Sequence, residues 1–347
     1  VGGLRKLLVA ALVFLLVPPV GGISVLQGDG ASRAQNFIFF GRDRERIAEP
    51  AFLESENIAG AQLKYTWREL EPERDNYDFK ALAKDLAFLD SHGKRLFVQL
   101  QDVSFSEAIP VPEYLCSDPA FGGGVARKFE YRGNDESKAR FDGWVARRWD
   151  AAVGARFARL LEELGKAFDG RIEGLNLAET SIGFGETGKL HPEGFTYERY
   201  VEGIKANMTA ASAAFPNSHV IQYANFMPGE WLPWTDRGFL RAVYAHAEKV
   251  GIGVGGPDLL PHRKGQQNHS YPLIAKRRAK IAAGVAVQDG NLKAQNPATG
   301  ERVTVMELYR FAQDQLRVDY IFWGIQEPYF SKEILPFIEG LSQAERR

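Results

Sequence analysis

Cysteine is almost absent: Cys116 is the only one in 347 residues, which excludes an internal disulfide and a thiolate metal site. A buried, inert thiol is expected there. Net charge is almost absent as well. The 43 basic and 44 acidic side chains leave −1, without the strong basic field that a sequence-independent nucleic-acid binder uses against phosphates. No nucleic-acid partner is expected. The N-terminal apolar run Leu7–Val17 falls short of the roughly 20 residues that cross a bilayer. No G-x-G-x-x-G follows an early strand pattern and no Walker A sequence occurs, which removes the usual cradles for dinucleotides and nucleoside triphosphates. H-E-x-x-H is missing, and so is H-x-H after the first strand. His262 lies on a loop and His269 near a helix start, which makes no recognisable metal set, so neither a metal nor another cofactor is expected.

What is present begins with a leader pattern. Arg5 and Lys6 precede the apolar run and Pro18-Pro19 ends it, the order of charged and apolar regions in a secretory signal. Cleavage after Ala34 is expected, leaving no stable membrane anchor and an exported protein, periplasmic or extracellular. Residues 1–34 are therefore set aside as a signal peptide, and residues 35–347 as one domain. That domain repeats one unit: short β-branched or aromatic runs alternate with longer stretches of helical period. The runs are Phe37–Gly41, Gly60–Thr66, Arg95–Gln101, Ile172–Ala178, His219–Ala224, Gly251–Gly255, Val285–Gln288 and Tyr320–Gly324. Helices are expected between them at Phe79–Ser91, Ala151–Phe168, Tyr197–Ala214, Phe239–Val250, Tyr271–Ala282 and Val305–Leu316, with Lys332–Leu341 at the end. Eight such units predict an α/β fold, a single (β/α)8 TIM barrel, in preference to an open doubly wound sheet. The connection Val103–Asp150 is far longer than a βα loop needs. It is expected as an insertion after the third strand, either a lid or groove wall over the catalytic face or a solvated hairpin.

Barrel enzymes build their sites at the C-terminal ends of the strands. Those ends collect carboxylates, amides and flat rings: Tyr65 and Trp67 after the second strand; Gln99, Gln101 and Asp102 on the third; Asn176 and Glu179 on the fourth; Tyr223 and Asn225 on the fifth. Asp258 and His262 follow the sixth, Gln288 and Asp289 the seventh, and Trp323 and Glu327 the eighth. Planar polar groups bond hydroxyls in pairs, and aromatic faces cover C–H patches. The set suits a polyhydroxylated ligand, and a carbohydrate substrate is expected.

The segment Trp67-Arg68-Glu69-Leu70-Glu71-Pro72, followed by Tyr77-Asp78-Phe79, resembles the second-strand segment of clan A glycoside hydrolases, notably the barrel β-galactosidases and their relatives. That resemblance implies a glycosidase in which the strand-4 glutamate, here Glu179, is the general acid/base and a strand-7 glutamate the nucleophile. It also implies a role beneath the sugar for Trp323. The chain departs from the pattern twice: Ala178 precedes Glu179 where the clan has Asn, and Gln288 stands where the nucleophile aligns. A glutamine does not attack an anomeric carbon. Three readings follow: Asp289 supplies the second carboxylate, Glu327 reaches in from strand 8, or the protein is not a retaining glycosidase of the usual kind. Loss of one carboxylate with the aromatic subsites kept would leave a catalytically inactive carbohydrate-binding barrel.

Overall fold

The computed structural model describes residues 33–131, 135–277, 279, 281–288 and 290–343. The expected leader, up to residue 32, and Asp289 lie outside the described residues. Among the described residues there are ten strands: β1 (Gln35–Gly41), β2 (Ile58–Thr66), β3 (Arg95–Gln101), β4 (Val125–Glu130), β5 (Arg140–Ala146), β6 (Gly174–Leu177), β7 (His219–Tyr223), β8 (Gly253–Gly256), β9 (Ala283–Val287) and β10 (Tyr320–Gly324). Eight of them close into a parallel barrel in the order β1-β2-β3-β6-β7-β8-β9-β10, with β10 paired back onto β1. This is the (β/α)8 barrel that the eight-unit pattern predicts. β4 and β5 form the remaining pair, an antiparallel hairpin within the insertion.

The strands read as near-continuous apolar runs because both their faces are covered, one by the barrel interior and the other by helices. Outside, the helix Ala151–Phe168 shows how the outer layer is built. Asp150 caps it by accepting from the backbone N–H groups of Ala152 and Val153, which satisfies two donors that the helix itself leaves free. Val153, Phe157, Leu160, Leu161 and Leu164 recur at helical spacing and are buried in the main hydrophobic core. The expected helix Tyr271–Ala282 is shorter, ending at Lys276. β9 begins at Ala283, so a helix reaching Ala282 would leave no residues for the turn. Val305–Leu316 is α-helical as far as Arg310 and then continues with a π pattern.

Inside, Phe37, Phe97, Tyr320 and Phe322 form a plug of rings in which Phe97 meets Phe37 and Phe322 edge to face, with centroids 5.2 Å and 5.0 Å apart. Glycine makes the space for it. A Cβ at Gly174 would sit 2.3 Å from the Phe97 ring, and one at Gly284 would sit 2.8 Å from that of Phe322. Above this plug the inward positions turn polar, and a cavity opens at the C-terminal mouth.

The insertion is tied to that mouth at both ends. Ser104 N–H donates to the Trp144 carbonyl and Ala146 N–H to that of Asp102, each at 2.8 Å. The hairpin is thereby laid across the end of β3. Val103 and Phe105 consequently line the mouth cavity, so the insertion is both a hairpin and a groove wall.

Candidate active site at the barrel mouth

The mouth cavity, about 240 Å³, is lined by Lys64 from β2, Gln99 and Gln101 from β3, Glu179 after β6, Tyr223 from β7, Asp258 after β8 and Gln288 after β9. Strand alternation explains the first group. Phe97 belongs to the interior plug, so two-residue periodicity carries Gln99 and Gln101 inward above it, and Lys64 pairs in register with Gln99. One layer deeper, Gln62 Nε2 donates to Asn176 Oδ1 at 2.8 Å and to the Tyr223 hydroxyl at 3.0 Å. Asn176 is fully buried there and forms the polar floor of the cavity. The Gln99 side chain is buried, and among the described residues its Oε1 accepts no hydrogen bond.

Glu179 is the most perturbed carboxyl of the set. Burial pushes it up to about 7, and the neighbouring Asp258 charge pushes the same way. A hydrogen bond from Asn225 Nδ2 to Glu179 Oε2, 2.7 Å long, pulls it down, as do the more distant charges of Lys128 and Arg148. Asn225 is held in turn, its Oδ1 accepting from the N–H groups of Ser181 and Phe226. Asp258 is positioned by Asn291, whose Nδ2 donates to Asp258 Oδ1 at 3.1 Å. The same asparagine fastens two loops, since its Oδ1 accepts from Leu259 N–H and Gln288 N–H. Lys64 lies half-buried over the Phe39 ring at 5.4 Å. Burial and the nearby Arg42 charge lower its pKa, with Glu179 opposing.

Glu179, Gln99, Gln101, Tyr223, Asp258 and Gln288 are thus brought together, with Asn225 and Asn176 behind them. The other expected site residues lie elsewhere. Tyr65 follows the inward Lys64 and so points outward, where its hydroxyl donates to Asp85 Oδ2 at 2.7 Å. Trp67 is fully buried, its Nε1 donating to Glu71 Oε2 at 2.8 Å and its ring against Phe157. Trp323 lies between the inward Phe322 and Gly324 and therefore faces the outer layer, with Nε1 on Asn36 Oδ1 and its ring beside Phe337. It is not among the residues that line the mouth cavity. Asp102 is buried outside the cavity lining and bound through both oxygens by the buried guanidinium of Arg148, at 2.5 and 2.7 Å. Glu327 is exposed and accepts from Ser331 Oγ at 2.6 Å at the start of the last helix, away from the cavity lining. His262 lines an adjoining hollow of about 430 Å³ that shares Asp258 as a wall. Gln288 reaches the cavity but donates its Nε2 to the Pro257 carbonyl at 2.6 Å, bracing the segment that carries Asp258.

Sequence reasoning missed Lys64 and Phe105. The signal for Lys64 was the alternation of Gln62 and Lys64 within an otherwise apolar strand. Phe105, 60% exposed at the rim, had none beyond its place in a long insertion. Among the described residues no three His, Cys, Asp or Glu side chains are gathered so as to hold a metal ion, and no helix is long and apolar enough to cross a membrane.

No family model and no curated protein matches the chain. Among solved structures it is similar to the catalytic domain of β-amylase from Paenibacillus polymyxa, with a TM-score of 0.55 and 8% identity over 85% of this chain and 93% of that one. At that identity the likeness concerns the barrel fold.

Proposed function

We propose that the protein is an exported glycoside hydrolase, periplasmic or extracellular, acting on an oligo- or polysaccharide, with Glu179 as general acid/base and Asp258 as the second carboxylate. The observation that carries this reading is a carboxyl group held near neutrality inside the mouth cavity beside a second carboxylate. Two carboxyl groups facing one cavity, one of them held in its acid form, are what glycosidic cleavage requires. Protonated Glu179 donates to the leaving oxygen as the bond breaks. Asp258, aimed by Asn291, either attacks the anomeric carbon or activates water, according to whether the carboxyl groups are about 5–5.5 Å or about 6.5–9.5 Å apart in the loaded site. The second carboxylate then comes from the sixth barrel strand, where clan A glycosidases use the seventh. The polar cavity wall serves hydroxyl groups, and the exposed Phe105 ring offers a flat face at the rim.

The test is release of reducing ends from a panel of oligosaccharides and polysaccharides. Glu179→Gln is expected to lose about 10²–10⁴-fold on substrates with poor leaving groups, the usual worth of acid–base catalysis. Asp258→Asn is expected to lose at least as much. Full activity in either variant overturns that residue's role. The amide of Gln288 at the seventh strand favours a second reading, a barrel that binds saccharide without cleaving it. Binding without product in the native protein supports that reading instead.

A further inference from the structure

Lys64 brings to the mouth a cation on which the Glu179 charge acts without an ion pair among the described residues. Its ammonium is half-buried and sits above an aromatic ring, and among the described residues it has no hydrogen bond or ion pair. Arg42, just past the end of β1, lies near enough to repel it and likewise has no ion-paired carboxylate among the described residues. The other cations of the region are already matched: Lys128 by Asp142, Arg148 by Asp102. Beside Lys64, Gln99 presents a buried oxygen that has no donor among the described residues. A partly desolvated cation is costly unless an anion meets it. A neutral hydroxyl would satisfy one donor of the ammonium but would leave the repulsion from Arg42 in place. A carboxylate removes both costs, and an adjacent sugar hydroxyl supplies the donor that Gln99 lacks.

We propose that the saccharide taken by this site is acidic, and that a uronic-acid carboxylate is seated on Lys64 with Arg42 at its edge and a neighbouring hydroxyl on Gln99. The inference rests on reading the mouth as a saccharide site and specifies its substrate class. Two outward signs follow. Binding weakens with salt more than that of a neutral sugar, because the key contact is ionic and partly open to solvent. Selectivity resides in the ammonium and not in the acid/base pair.

The experiment is calorimetric titration of the full chain carrying Glu179→Gln, so that no turnover intervenes. The ligands are oligogalacturonates, oligoglucuronates and oligomannuronates, each beside its carboxyl-reduced counterpart. At least one acidic oligomer is expected to bind about 10-fold or more tightly than its neutral partner, the scale of a charge-assisted contact. That preference is expected to vanish in Lys64→Met and to shrink in 0.5 M salt. Lys64→Gln is measured beside it, since it keeps a polar end if the methionine variant misfolds. Equal affinity for every acidic and neutral pair, no binding by any of them, or a preference that survives loss of Lys64 overturns the proposal. The hydrolase reading fails separately. An acid preference without product from the native chain retires hydrolysis and keeps this inference, whereas turnover of neutral glycans with no acid preference does the reverse.

Discussion

Asn225 acts on one form of Glu179 more than on the other. Its Nδ2 donates at 2.7 Å to a carboxyl oxygen, and a donor of that kind stabilises the ionised group, opposing the burial that favours the acid. Asn225→Ala therefore moves the Glu179 carboxyl further up from about 7. In a pH–rate profile the alkaline limb shifts to higher pH, while activity on the acid side changes far less. A limb that stays in place, or moves to lower pH, shows that it belongs to another group. Glu179 itself was legible from the end of the fourth strand, and Asn225 and Asp258 were legible as polar strand ends. That the Asp258 charge acts on Glu179 was not, because Asn291, 33 residues further along, is what aims it. Such a partner has no local signature in the chain.

Strand parity decided which aromatics could reach a ligand. In an antiparallel sheet with one wet face, alternation announces which side is inward, whereas barrel strands covered on both sides do not. Lys64 and Gln99 point inward, which sends Tyr65 outward, and the same alternation turns Trp323 away from the mouth. The second-strand segment is likewise a lock more than a binding surface. Trp67 Nε1 and the Arg156 guanidinium both converge on the fully buried Glu71. Trp67→Phe is expected to destabilise the fold by about 1–3 kcal/mol, the cost of leaving a buried acceptor short of a donor, with KM unchanged. A raised KM at unaltered stability would return Trp67 to the binding site. The insertion behaves as a fastened element because Arg148, at its exit, grips Asp102 and donates to the Glu179 carbonyl at 2.7 Å and the Tyr200 hydroxyl at 2.9 Å. Arg148→Met strands the Asp102 charge and is expected to cost about 3–5 kcal/mol in urea unfolding. Adding Asp102→Leu removes the stranded charge and should restore part of that loss. A double variant worse than the sum of the singles would contradict this account.

The barrel as a whole was the most legible feature, because eight repeats of one pattern leave few alternatives. The expected strands at Arg95–Gln101 and Tyr320–Gly324 coincide with β3 and β10, and the others differ by a few residues at their ends. The helices after the sixth and seventh strands were less regular than their patterns implied. There the chain has to turn quickly into the next strand, a constraint that lies outside any helical window.

A carboxyl group held at about 7 in the folded chain also marks the stability of the entire molecule. Unfolded, Glu179 reverts to an ordinary glutamate near 4.5. Below that pH it is protonated in both states and contributes no difference. Between about 4.5 and 7 the native chain binds more protons than the unfolded one, so stability falls as pH rises. Above about 7 the group is ionised in both states, and the folded chain carries the full burden of its burial, an upper bound of about 3 kcal/mol at 1.36 kcal/mol per unit. Glu179→Gln is neutral at every pH and keeps an oxygen for Asn225, so it escapes this burden. The variant is therefore expected to match the native protein in urea unfolding at pH 4 and to exceed it progressively at pH 6 and pH 8. Every other ionisable group is common to both proteins, so their contributions cancel in the difference. A gap that does not change with pH, or a native protein that is the more stable at pH 8, would mean that the Glu179 carboxyl is not held near neutrality, and the acid role proposed for it would lose its physical basis.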